Sequence, residues 1–452
     1  MISPARVAAY EILSAVSSGT VDLPAAISAA RARLRDERDR ALATDIATGV
    51  QRSRAALDHL IESFSKRTVA RLDAEIVEIL RLSVYQLLNH SRVPASAVVD
   101  DAVNLARRSG KRSATGFVNA VLRGISRKRA SLPLPPRPID HADRNAALDY
   151  LSVTLSHPRW LAARWYDRMG FAAAEAWELF NNAPAPLTLR ANTLRVAREE
   201  LPRLLADKGI TVRAGAFAPD AFLVEEGQPL AGDTADAGWF VVQDEASQLV
   251  ALLAGDHPGR SVLDTCASPG GKTTALAAAM ANEGLLIACD VRRRRMELLR
   301  RTIETSGAAR VRLVQADLLA PLPFTTQFDC VLVDAPCSGL GILRRDPDIR
   351  WRRQENDLEL LAAAQLRMLR HAAAAVAPGG RLVYATCSSE PEENEAVVTA
   401  YLSGAPNFSA VDARTISPRL PNAVVDDRGH LRTTPADHRL EAFFGAVFER
   451  RS

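Results

Sequence analysis

From Arg260 onward the chain repeats one pattern: a short apolar run, a polar or reactive residue at its end, then a stretch of helical length. The runs are SVLDTC, LLIACD, VRLVQAD, FDCVLVDAP and GRLVYATC, with NFSAV and AFFGAVFE closing the chain. Alternating strands and helices of this kind predict a doubly wound α/β sheet, which binds ligands outside the carboxyl ends of its strands. Cys266, Asp290, Asp317, Asp334, Cys337 and Cys387 stand at or just past those ends. The regularity thus names both a fold and a candidate site.

The front of the chain reads differently. Roughly the first 130 residues are apolar at helical spacing with few glycines, and LDAEIVEILRLSVYQLLNH (72–90) is apolar on so many sides that it should be a central buried helix. GFVNAVLRGISRKR (116–129) is amphipathic, with Arg123, Arg127, Lys128 and Arg129 towards its polar side and C-terminal end. LPLPPRP (132–138) then reads as a stiff linker. Beyond it come a helical stretch (DYLSVTLSHPRWLAARWYDRMG) and a mixed segment. In that segment PLTLRANTL and ITVRAGAFAPDAFLVEE suggest strands, REELPRLLADKG a helix, and WFVVQDEASQLVALLAG a strand running into a helix. The expected domains are therefore 1–131, all helical; 139–258, linker helices and a small α+β subdomain; and 259–452, the α/β domain.

A length of 452 residues suits such a multidomain chain, and 47% apolar with 24% charged residues is ordinary for a soluble globular protein. No apolar run reaches the ~18 residues of a membrane span, and the opening MISPARVAAYEIL lacks the continuous apolar core of a signal peptide. A cytoplasmic protein with no membrane partner is expected. The five cysteines all lie in the second half, at spacings that fit neither a disulfide framework nor a zinc site, so reduced thiols and no metal are expected. Residues 1–130 carry 21 Lys and Arg against 13 Asp and Glu. A basic front suits a polyanion, most simply nucleic acid, and equally a solvated helical surface.

The turn CASPGGKTT (266–274) raises the question of the ligand. Gly271-Lys272-Thr273 matches the end of a phosphate-binding P-loop, yet that motif needs a glycine where Cys266 stands, and Pro269 has no N–H to donate. A nucleoside-bearing ligand without a triphosphate fits better. Gly270 and Gly271 allow close backbone approach, and a helix N-terminus favours a carboxylate. Asp290 is placed to bind ribose hydroxyls and Asp317 to accept from an adenine amino group. S-adenosylmethionine has all three parts. Lys272 is one of only five lysines in an arginine-rich chain, which suggests a place where a compact ammonium matters.

Asp334, Cys337 and Cys387, at neighbouring strand ends, are the equipment that methylation at pyrimidine carbon 5 requires. That carbon is too weak a nucleophile unaided. A thiolate adding to carbon 6 makes it enamine-like, a carboxylate stabilises charge developing near N3 and N4, and a base later removes the carbon-5 proton. The residues alone leave the two thiols interchangeable, or simply packed at strand ends.

At these positions the sequence resembles the RsmB (Sun/Fmu) family of ribosomal RNA cytosine-5 methyltransferases over nearly its whole length. CASPGGK is similar to the family's adenosylmethionine loop, with Ser268 where alanine is common. DAPCSGLGILRRDPDIRW and YATCSSEPEENE resemble its next two signatures, and VQDEASQL and PLTLRANT its preceding segments. RALATDIATGVQR, ILRLSVYQLL and GFVNAVLR look like a NusB-type helical RNA-binding domain. The resemblance implies an all-α NusB-like front, a small α+β middle and a Rossmann-like class I methyltransferase domain. It implies Cys387 as nucleophile, Cys337 in product release and Asp334 against the cytosine. Cys266, Ala267, Ser268, Pro269, Gly270, Gly271, Lys272, Asp290, Asp317 and Asp334 would hold S-adenosylmethionine.

Arg344, Arg345, Arg350, Arg352 and Arg353 are expected to hold RNA phosphates, whereas Arg292 to Arg295 read as a solvated helix start. The target cytosine should be unstacked or flipped. By the same resemblance the substrate is small-subunit (16S) rRNA, at cytosine 967 by analogy; the expected partner is 16S rRNA or an early small-subunit particle, and a monomer is expected. The alternatives are another RNA, such as tRNA, or a non-catalytic RNA-binding assembly factor. One departure from the family stands near the C-terminus, where Glu441-Ala442 precedes Phe443-Phe444 and the family often has Asp-Gly.

Overall fold

The structure, a computed structural model, describes residues 2–452. It divides into two compact units, residues 2–184 with Leu343–Glu355, and Ala185–Ile342 with Asn356–Ser452. Among the described residues no helix is long and apolar enough to cross a membrane.

The first unit is helical. Its central helix, Ala74–Asn89, buries Ile76, Ile79, Leu80, Leu82, Val84 and Leu87 among the helices Pro4–Ser17, Glu37–Arg52, Arg54–Ser65, Ala95–Arg108 and Thr115–Arg127. Burial on so many sides removes the usual polar face, so its charged residues need partners inside. Arg81 supplies them: it forks onto Asp58, with both nitrogen–oxygen distances 2.7 Å, and meets Glu78 at 2.5 Å. The helical stretch beyond the linker runs further than its pattern suggests. Arg159–Asn182 continues past Gly170, whose φ of 78° and ψ of 168° kink it.

Residues 343–355 pack with this helical unit. The Trp351 indole donates to the Gln51 carbonyl (2.7 Å), and Asp348 accepts from the Leu23 amide (3.2 Å). Arg350, expected at the RNA, is instead fully buried. Its guanidinium donates to the Ser156 carbonyl (3.1 Å) and Asn182 Oδ1 (2.9 Å). Arg344 lies 4.4 Å over the Phe180 ring and donates to the Pro184 carbonyl, and Arg352 pairs with Asp348 at 3.0 Å. Arg344, Arg345 and Arg353 are partly buried and Arg352 exposed.

The second unit begins with a small antiparallel sheet, β1 (Thr188–Ala191), β2 (Thr211–Ala214), β3 (Ala221–Glu226) and β4 (Phe240–Val242), in the order β2-β3-β1-β4. Its helix covers only Leu201–Ala206, shorter than the pattern suggests. Pro202 sits in its first turn, and Gly209, at φ +73°, turns the chain away.

The large sheet holds β5 (Ser261–Asp264), β6 (Leu285–Asp290), β7 (Val311–Gln315), β8 (Phe328–Asp334), β9 (Val376–Thr386), β10 (Phe408–Val411), β11 (Leu431–Thr433) and β12 (Phe443–Arg450). Its order is β10-β12-β9-β8-β5-β6-β7, with β11 beside β12. The run β9-β8-β5-β6-β7 is parallel, as the strand–helix alternation requires, and β10, β11 and β12 close one edge antiparallel. Alternate residues feed two cores: Val262, Leu286, Leu332 and Val383 on one face, Leu263, Cys289, Val331 and Tyr384 on the other. The three-residue β11 is too short to leave a sequence pattern.

The Arg81 cluster carries a stability prediction. Arg81→Met strands two carboxylates in or near the helical core, and should lower the stability of that unit by about 3–5 kcal/mol. Thermal unfolding followed by circular dichroism reads this as an earlier first transition.

Candidate active site

Strand order places the site. The chain steps from β5 to β6 on one side and later returns to β8 on the other, so the crevice outside the carboxyl ends of β5 and β8 is the topological switch point. Parallel pairing of β8 with β9 sets Asp334 opposite Ala385, which brings the loops after both strands to one level.

The turn after β5 is built for close approach. Gly270 takes φ +110°, and a Cβ there would lie 3.0 Å from the Leu299 and Thr302 side chains. The helix Gly271–Ala279 starts immediately after it. The Ala267 amide donates to the Cys289 carbonyl (2.8 Å) and the Ser268 hydroxyl to the Arg295 carbonyl (3.0 Å). Asp290 is buried at the end of β6, with one oxygen accepting from the Arg292 amide (3.2 Å). Asp317 is exposed just past β7 and accepts from the Leu319 amide (2.9 Å). These residues fit S-adenosylmethionine: a bare backbone turn at a helix N-terminus suits the methionine carboxylate, and the two aspartates retain acceptor capacity for ribose and adenine. Cys266 is largely a packing residue, its thiol pushed up by burial. The arginines 292–295 are exposed at the start of the helix Arg293–Ser306.

Lys272 reaches from that first turn to Asp334 at 2.7 Å and Ser247 Oγ at 3.1 Å, and lies 5.7 Å over the Phe443 ring. Burial pulls its ammonium down, but the Asp334 carboxylate more than offsets this and holds it above its ordinary value. Ser247 is presented by the helix Glu245–Leu252, whose start is fixed by Asp244 accepting from the Ala246 and Ser247 amides.

The two thiols meet: Cys337 Sγ and Cys387 Sγ are 3.2 Å apart. The hydrogen bond with Cys387, together with burial, holds the Cys337 thiol well above its ordinary value, so Cys337 stays protonated. Gly341 donates to the Cys387 carbonyl and accepts from the Ala442 amide, both at 3.0 Å. A Cβ on Gly341 would lie 2.0 Å from the Ala442 carbonyl oxygen. The Glu441-Ala442 departure thus keeps its contact with this loop through the backbone.

Three groups at the site were not singled out in the sequence, although Arg190 lies within PLTLRANT and Glu393 within YATCSSEPEENE. Arg190 on β1 is 4% exposed and donates to Gln243 Oε1 (2.8 Å), Thr274 Oγ1 (2.6 Å) and the Gly271 carbonyl, clamping the glycine turn from the small sheet. Burial lowers its guanidinium to about 10. Asp264, the last residue of β5, is fully buried and accepts from Thr273 Oγ1 (2.7 Å), while its other oxygen has no partner. Burial pushes it up to about 7 against the pull of Thr273. Glu393, in the loop after Cys387, is also fully buried. The segments that hold them were visible in the sequence, but nothing in their spacing shows that these particular polar residues are buried.

Fold and site together define a methyltransferase that uses S-adenosylmethionine. The model of the family described as 16S rRNA methyltransferase RsmB/F matches residues 250–449, that of the NusB family residues 3–127, and that of the RsmF/B-like ferredoxin-like domain residues 157–231. A probable ribosomal RNA small subunit methyltransferase B from Bacillus subtilis (strain 168) is 33% identical over 90% of this chain and 90% of its own. A ribosomal RNA small subunit methyltransferase B from Pseudomonas putida is 35% identical over 91% of each. The crystal structure of PH0851 superposes with a TM-score of 0.82 at 26% identity, covering 100% of this chain and 99% of that one. The chain belongs to the RsmB/F family.

Asp264 generates a pH prediction. Its folded value near 7 lies above the ordinary carboxyl value, so the folded state binds its proton more tightly than the unfolded chain does. That contribution is fully present below about pH 4 and lost as pH rises through about 7. Asp264→Asn keeps an acceptor for Thr273 and removes the buried charge. Its melting temperature should exceed that of the wild type by a margin that widens from pH 5 to pH 8. A constant margin would show that Asp264 does not titrate there.

Proposed function

We propose that the chain methylates carbon 5 of one cytosine in small-subunit ribosomal RNA through a covalent adduct at carbon 6, with Cys387 as nucleophile. The observation that carries this reading is the pair of thiols 3.2 Å apart beside the Lys272–Asp334 ion pair. A residue that only packs needs no such company. Burial and the hydrogen bond with Cys387 hold the Cys337 thiol above its ordinary value, and it is the family resemblance that assigns attack to Cys387.

In this mechanism the Cys387 thiolate forms the bond to carbon 6, and electron density moves to carbon 5. The Asp334 carboxylate, oriented by Lys272, accepts a hydrogen bond from the N4 amino group and holds the ring in place for the attack. Bound S-adenosylmethionine supplies the electrophilic methyl group. Loss of the carbon-5 proton to a base then restores the ring double bond as the carbon–sulfur bond breaks. Cys337, in contact with the departing sulfur, assists that release. Cys266 through Lys272 with Asp290, Asp317 and Asp334 hold the cofactor.

Relatives named ribosomal RNA small subunit methyltransferase B, at 33–35% identity over about 90% of the chain, support ribosomal RNA as substrate, with cytosine 967 of 16S rRNA the position to test. The basic, NusB-like front would carry RNA, and Arg352 is the most exposed of the arginines proposed for phosphate contact. We propose a cytoplasmic monomer acting on free rRNA or an early small-subunit particle.

The test mixes a small-subunit rRNA transcript and S-adenosylmethionine with wild type, Cys337→Ala and Cys387→Ala, and resolves protein–RNA adducts on a denaturing gel. An adduct should accumulate in Cys337→Ala and be absent in Cys387→Ala, and 5-methylcytosine formation should fall at least ~100-fold in both. The reverse adduct pattern would exchange the roles of the thiols. Absence of adduct and of methylation, on RNA and on assembled subunits alike, would defeat the catalytic reading.

A further inference from the structure

A carboxylate removed wholly from water needs donors to replace its hydration. Glu393 is 0% exposed, and its three donors are neutral groups drawn from the two cysteine loops and the helix Asp357–Ala374. Oε1 accepts from the Ser338 amide (2.8 Å) and from Gln365 Nε2 (2.9 Å), and Oε2 accepts from Ser388 Oγ (2.5 Å). Since Ser388 gives its only hydroxyl proton to Glu393, its 3.1 Å contact with Ser338 Oγ must be donated by Ser338. The second Gln365 amide hydrogen goes to the Pro336 carbonyl (3.1 Å).

The consequence is local and specific. The carbonyl before Cys337 and the amide after it are both held, directly or through Gln365, by one carboxylate. The side chain after Cys387 is held by the same carboxylate. Asn394 completes the bracket around Cys387, accepting from Thr386 Oγ1 (2.6 Å) and donating to the Ser388 carbonyl (3.0 Å).

We infer that Glu393 is a positioning residue that sets the spacing of the two thiols, so that release of the methylated base depends on it. The catalytic half of this inference rests on the covalent reading above. Glu393 touches neither sulfur, and it acts through the backbone of one loop and the hydroxyls that join both. Behind the contributions of Cys387 and of burial, Glu393 adds a smaller one that raises the Cys337 thiol.

The hydrogen-bond directions predict which substitution is tolerated. In Glu393→Gln the amide oxygen can keep the Ser338 and Gln365 donors, while its NH2 donates to Ser388, whose hydroxyl then turns to Ser338. Glu393→Ala leaves all three donors without an acceptor and frees both loops.

The full-length protein is tested with the rRNA transcript and S-adenosylmethionine, following the decay of the covalent adduct after a chase with unlabelled RNA. Adduct decay should slow at least ~10-fold in Glu393→Ala and stay within ~3-fold of wild type in Glu393→Gln, with S-adenosylmethionine affinity unchanged in both. In parallel, phenylarsine oxide, which bridges two neighbouring thiols through one arsenic, should bind wild type and Glu393→Gln alike and Glu393→Ala at least ~10-fold more weakly. Wild-type decay and undiminished arsenical binding in a folded Glu393→Ala would overturn the inference. Should that variant not fold, Gln365→Met keeps the carboxylate and loses the tie to Pro336; it must slow adduct decay, and a wild-type rate there overturns the inference equally. If neither the wild type nor Cys337→Ala forms an adduct, it is the covalent reading that fails, and the arsenical result alone decides whether Glu393 sets the thiol spacing.

Discussion

Parallel pairing of β8 with both β5 and β9 is the constraint on which the site depends. The register that sets Asp334 beside Ala385 delivers Cys337 and Cys387 to contact from positions fifty residues apart. A shift by one residue in either ladder would turn Asp334 to the other face and separate the thiols. The apolar faces of the sheet forbid that shift, because Leu332 and Val383 would exchange cores with Val331 and Tyr384. Packing remote from the chemistry therefore fixes where the chemistry stands.

Around this frame the second unit keeps several charges out of water, each held differently. Lys272 and Asp334 neutralise one another, and the pair keeps a compact ammonium beside the thiols. Arg190 has neutral acceptors and binds the glycine turn to the small sheet. Glu393 has neutral donors and binds the two cysteine loops to each other. Replacing any of these by an apolar residue would leave its hydrogen-bond partners buried and unmatched, which is why buried polar networks specify geometry as well as stability. Burial of charge here serves position.

The doubly wound sheet, the helical front and the small α+β middle were legible because each has a periodicity: alternation of strand and helix, apolar spacing along helices, and breaks at LPLPPRP. The glycine turn, Asp290, Asp334 and the two cysteines were legible because they close strands. Arg350 was not. Its place in an arginine-rich run suggested phosphate contact, but an arginine bound for the interior and one bound for RNA have the same letter, and only the enclosing Ser156 and Asn182 distinguish them. The helix Leu201–Ala206 came out short for a readable reason, Pro202 and Gly209, which mark its ends more sharply than its apolar spacing does.

The sequence by itself determined the class of fold, the glycine turn after the first strand of the large sheet and the presence of two thiols and a carboxylate at strand ends, since these follow from local pattern and chain direction. It left open what holds the two thiols together and which arginines face outward. Those are decided by contacts such as Glu393 to the Ser338 amide and Lys272 to Asp334, made between residues 55 and 62 positions apart. Hydrogen bonds over such separations have no period along the chain, and burial is a property of the assembled core, so both exist only once the sheet has closed.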